Sequence, residues 1–166
     1  SEEVLMSWLL LVGDARRARV FEVKRPDEDA SRPRFELQEL DDLTEPEAGL
    51  LGHELFSNTK GRNRANEGMA VHGYDDHRGG HREEQHARFA RRISSNVLQR
   101  IRELDARRLM VVAPARTLGH LRAELISKLP DKVSVDELEE DLSWHPSPRL
   151  RDELTQRGLL PELARA

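Results

Sequence analysis

The segment His77-Arg78-Gly79-Gly80-His81 carries the densest chemistry of this chain, and Arg88-Phe89-Ala90-Arg91 follows it at the head of an amphipathic stretch. A Gly-Gly pair has no Cβ, so its backbone can take φ > 0 and enter narrow spaces. Behind it, Arg88, Arg91, Arg92 and Arg102 fall opposite an apolar stripe and would grip phosphate. Lys60, Arg62 and Arg64 would add contacts from the preceding loop. A slim tip on a basic stem suits RNA, where phosphate supplies affinity and backbone access supplies reach. The plainer meaning of the same pattern is a solvated helix face, which is what arginines opposite an apolar stripe most often are.

His81 brings a second chemistry, that of a general base toward an ester when its pKa lies near neutrality. His72, His77, His81 and His86, with Asp75 and Asp76, offer nitrogen and oxygen donors of the kind zinc takes. Their spacing fits no tight helical pair, since His77 is expected ahead of the helix and His81 and His86 stand five apart. A His-rich polar surface accounts for them more simply, and no cofactor is expected. Gly61-Arg62-Asn63-Arg64 lacks the Gly-Lys-Ser/Thr element of a phosphate loop, and Gly13-Asp14 lacks the further glycines of a dinucleotide fingerprint. Asp14, Asp41 and Asp42 read as turn formers at strand ends rather than a nuclease carboxylate set. Trp144 is expected to be buried as a cap on the last helix, with a docking point as the alternative.

The elements that must position these groups follow from periodicity. Residues 7–12 and 18–23 read as strands joined by the Gly13-Asp14 turn, and 35–40 alternates as a half-buried third strand. Residues 41–81 hold seven glycines from Gly49 onward and read as one long loop. From Arg82 the period changes: Phe89, Ile93, Val97, Ile101 and Leu104 recur on one helical face. A central strand at 109–113, a helix at 118–129, a strand beginning at Val133 and a helix at 149–156 complete the order. This is a single α/β domain over 1–166, with a mixed sheet of five strands and three main helices. An antiparallel meander joins a parallel crossover half.

Composition bounds the setting. At 35% charged and 37% hydrophobic residues, the core is small for the chain and the surface is densely ionic. The absence of cysteine excludes disulfides, thiolate zinc sites and cysteine nucleophiles. The longest apolar run, Trp8 to Val12, is far short of a membrane span, and too little chain precedes it for a signal peptide. A cytoplasmic protein without a membrane partner is expected. From Lys60 to Arg102, ten Lys/Arg stand against five Asp/Glu, a local excess of five positive charges within a chain of net charge −4. A net-acidic body carrying a basic segment repels polyanions in general while admitting one locally.

Several segments together resemble the bacterial host-attachment protein family: Trp8-Leu9-Leu10-Leu11-Val12-Gly13-Asp14, Ala18-Arg19-Val20-Phe21, Pro46-Glu47-Ala48, Gly61-Arg62, Arg88-Phe89-Ala90, Val111-Val112-Ala113-Pro114 and Asp141-Leu142-Ser143. Within that family the body resembles the central domain of archaeal and eukaryotic class I release factors and of Pelota, which has a ribonuclease-H-like fold. The resemblance implies that Gly79 and Gly80 stand where those factors carry Gly-Gly-Gln, in the loop that enters the peptidyl-transferase centre. His81 replaces the glutamine that assists water attack, and the spacer from Arg82 to Ala87 is longer, so hydrolysis is not expected to carry over. The implied partners are the ribosome (its rRNA) or tRNA, in ribosome rescue, hibernation or quality control. His77, Arg78, Gly79, Gly80 and His81 would form the tip. The alternatives are a non-enzymatic protein-interaction module and a His81-dependent hydrolase of the peptidyl-tRNA ester.

Overall fold

The computed structural model describes residues 7–27, 29, 31–46 and 71–161, with side chains from residue 80 onward in the helix that begins at 71. The strands are β1 (Trp8–Gly13), β2 (Arg17–Lys24), β3 (Glu36–Thr44), β4 (Arg108–Ala113) and β5 (Ser134–Glu139). The helices are α1 (Val71–Leu104), α2 (Ala115–Glu124) and α3 (Ser147–Gln156), and a 3-10 turn at Ile126–Lys128 follows α2. The sheet order is β3-β2-β1-β4-β5, with β2 antiparallel to both neighbours and β1, β4 and β5 mutually parallel. Among the described residues, the expected α/β architecture with a mixed five-stranded sheet and three helices is the one observed.

Period-two alternation sorts the central strands between two cores. Leu9 and Leu11 on β1, and Leu109 and Val111 on β4, face Phe89, Ile93, Val97 and Ile101 of α1 and Leu118 and Leu121 of α2. Leu10, Val12, Met110 and Val112 point the other way, onto Phe21, Phe35 and the α3 leucines Leu150 and Leu154. The sheet is therefore covered on both faces, which is why β1 and β4 read as unbroken apolar runs.

Sequence expectations are corrected at β3 and at α1. β3 does not stop at Leu40 but continues to Thr44, because Leu40 is a bulge: Val20 pairs with Asp41 and the adjacent Phe21 with Glu39. The extra residue lets Leu40 and Leu43, three apart, pack on the same core, which defeats simple alternation. α1 begins at Val71, not Arg82, so Gly79 and Gly80 lie inside a helix rather than at a loop tip. The helix runs through Gly73, Gly79 and Gly80 despite a cost of about 1 kcal/mol per glycine relative to alanine. The expected loop over 41–81 is thus shortened from both ends, and 47–70 lie outside the described residues. β5 takes in the acidic run after Val135, since an edge strand leaves alternate positions in water.

The end of α1 shows how the chain turns. Asp105 adopts φ 50°, and the Ala106 amide reaches back to the Ile101 carbonyl at 3.0 Å. This is a left-handed helix cap with Asp in place of the usual Gly. No helix among the described residues is long and apolar enough to cross a membrane.

Candidate functional site

Parallel strands that end on one edge leave a crevice where their connections diverge. Here Asp14 follows β1, Pro114 follows β4, and Asp141 and Trp144 follow β5. Arg16, Glu45 and the α1 residues Arg82, Glu83 and His86 complete a cleft of about 550 Å³ on that edge.

Asp14 organises one wall. Its Oδ1 accepts the Arg16 and Arg17 amides at 2.7 and 2.8 Å, closing the β1–β2 turn. Its Oδ2 accepts the Ser143 hydroxyl at 2.9 Å and the Trp144 indole N–H at 3.0 Å. Buried Arg19 secures the same loop from β2, donating to the Ser143 and His145 carbonyls at 3.3 and 2.5 Å and to Glu39 Oε1 at 2.7 Å. The Arg17 guanidinium lies 5.4 Å from the Trp144 ring centroid. Trp144 is nonetheless 61% exposed, so the expected buried cap is corrected. Its polar edge is anchored while its face remains in water.

The opposite wall joins α1 to α2. Glu83 and His86 share one face of α1, and His120 Nε2 lies 2.9 Å from Glu83 Oε1. His86 is buried, its Nε2 2.9 Å from Thr117 Oγ1 and its ring centroid 4.5 Å from that of His120. Burial, reinforced by the neighbouring His120, pulls the His86 pKa below its ordinary value and favours neutral imidazole. The hydrogen bond from His120, with Arg116 nearby, lowers the Glu83 pKa and keeps that carboxylate ionised.

The sequence-predicted residues are scattered relative to this cleft. Lys60, Arg62 and Arg64 lie outside the described residues, and for His72, His77, Arg78 and Gly79 only the helical backbone is described. Gly80 is exposed, and a Cβ there would meet nothing within 4 Å, so its position imposes no need for glycine. His81 is exposed, pairs with Gln85 Nε2 at 3.1 Å one turn on, and stands outside the cleft lining. Of the arginine stripe, Arg92 donates to the Thr44 carbonyl at 2.9 Å and Arg91 lies 3.7 Å from Glu124. Arg88 and Arg102 are exposed. Asp41 and Asp42 form ion pairs with Arg100 and Arg17, in keeping with a structural role.

Of the four histidines considered as metal ligands, the structure brings His86 to two groups that sequence reasoning missed, Glu83 and His120. The Glu-x-x-His spacing at 83–86 was the available signal. His120, on another helix, gave none.

A comparison with curated proteins finds no match. A family model described as "Protein required for attachment to host cells" matches residues 9–154. That span runs from β1 into α3 and takes in every strand and both walls of the cleft, so the chain belongs to this host-attachment family.

Proposed function

We propose that the protein is a non-enzymatic interaction module that docks a protein partner at the cleft mouth, with Trp144 as the anchor. The observation that carries this is the exposed indole held by Asp14 and flanked by Arg17. An aromatic fixed at its polar edge costs little further entropy on binding and offers a large apolar face, the profile of an interface hot spot. The family description is itself one of attachment.

A second reading, engagement of rRNA or tRNA in the manner of release-factor central domains, has one support. The β3-β2-β1-β4-β5 order with β2 alone antiparallel is compatible with the ribonuclease-H-like fold that this kinship implies. It lacks the Gly-Gly tip, because Gly80 is helical, and His81 is not among the residues that line the cleft. For His81-dependent hydrolysis, the described side-chain contact of His81 is with the Gln85 amide at 3.1 Å, which supplies neither base nor nucleophile.

Affinity purification from the protein's own cell extract, with and without RNase, separates the two. The docking reading expects a specific partner that survives RNase, is lost with Trp144→Ala, and is kept with Arg88→Ala/Arg102→Ala. Loss with RNase, or with the arginine pair but not with Trp144→Ala, overturns it in favour of RNA.

A further inference from the structure

Glu83, His86 and His120 come from two helices and converge at the cleft rim. One donor atom from each lies within 4.8 Å of the others. The Glu83–His120 contact at 2.9 Å would be complete as an ordinary hydrogen bond. It gives no account of the second imidazole, His86, buried against the first with ring centroids 4.5 Å apart. Neutral imidazole and ionised carboxylate are the forms that ligate metal.

We propose that Glu83, His86 and His120 bind a divalent transition ion of the zinc class. Two imidazole nitrogens and one carboxylate oxygen make a borderline donor set. It suits Zn²⁺ and not Mg²⁺ or Ca²⁺, which seek oxygen cages. Three protein ligands leave a fourth position, and since Glu83 and His86 line the cleft, solvent and small ligands reach it. Thr117 Oγ1, 2.9 Å from His86 Nε2, holds that ring in place as an outer partner. Asp14, Glu45 and Asp141 share the cleft with Arg16 and Arg82. Arg116, 3.9 Å from Glu83 Oε2, opposes the ion, but its side chain is 80% exposed and its charge is screened. The site stands independently of the docking role of Trp144.

The test is titration of untagged protein with zinc chloride in competition with a chromophoric chelator, with magnesium and calcium chloride in parallel. The expected result is one Zn²⁺ bound per chain, no competition from Mg²⁺ or Ca²⁺, and a thermal midpoint raised by zinc. Affinity should fall at least about tenfold in both His120→Ala and Glu83→Gln, with circular dichroism unchanged. Should His120→Ala fail to fold, Glu83→Gln carries the same readout. α1 also holds His77 and His81 four positions apart, so a His77→Ala/His81→Ala variant must keep wild-type affinity. Substoichiometric binding in the wild type, undiminished affinity in Glu83→Gln, or loss in the His77/His81 variant overturns the proposal.

Discussion

Both carboxylate oxygens of Asp14 are occupied by groups it holds in place, two amides of its own turn and two side chains from the loop after β5. Removing the carboxylate would leave the indole N–H without its acceptor, leave Asp141 Oδ1 as the remaining acceptor for the Ser143 hydroxyl, and loosen the β1–β2 turn. Asp14→Ala should cost about 2 kcal/mol, the scale of hydrogen bonds to a charged group. It should also free the ring of Trp144. In a Trp8→Phe background, where Trp144 is the remaining tryptophan, its fluorescence anisotropy should fall; an unchanged signal would show that Asp14 does not hold the ring. Trp8→Phe is a mild background because the Trp8 indole N–H is buried without a hydrogen-bond partner. The turn at Gly13-Asp14 was legible from residue type. That its acid reaches a tryptophan 130 residues away was not, since nothing in local pattern encodes that pairing.

At the scale of elements, α1 is where sequence reasoning and structure diverge most. Glycine content marked residues 73–80 as loop, yet the helix runs through them from Val71. The two pictures make opposite predictions at one position. In a helix with open space at the Cβ, Gly80→Ala should stabilise the protein by about 0.4–1 kcal/mol through a less flexible unfolded chain. In a tip that needs φ > 0, the same change would destabilise it. Urea unfolding decides the sign. The apolar faces of α1 and α2 were readable because a 3.6-residue period directly reports which side is buried. Helix starts were not, because glycine content is a local bias that does not record where a helix begins. β3 failed for a related reason, its bulge at Leu40 breaking the period on which the reading relied.

Across the whole molecule, the ionic composition takes the form of cross-element ion pairs. Arg17 and Asp42 bridge β2 to β3, Arg100 and Asp41 bridge α1 to β3, and Arg151 and Glu36 bridge α3 to β3. The hydrogen bond from Arg17 holds the Asp42 pKa below its ordinary 3.8, and those from Lys132 and Arg107 do the same for Asp105. A depressed folded pKa contributes stability above the ordinary value and loses it as pH falls through the folded one. Stability should therefore decline below about pH 4, and Asp42→Asn should start lower at neutral pH and lose less over that window. Both groups are substantially exposed, so the effect is modest and weakens with salt. Thermal midpoints across pH 2–7 check it; parallel curves for the two proteins would remove Asp42 from the account.

By itself the sequence determined the alternation that gives β1 and β4 two buried faces, the amphipathic faces of the helices, and the α/β order. These are consequences of burial repeating with a local period, and a period is visible in one dimension. Tertiary structure alone decided that Trp144 stands in solvent on an Asp14 anchor and that Glu83, His86 and His120 meet across two helices. Which distant segments share an edge depends on crossover geometry and on how two cores pack against one sheet. No spacing along the chain records it.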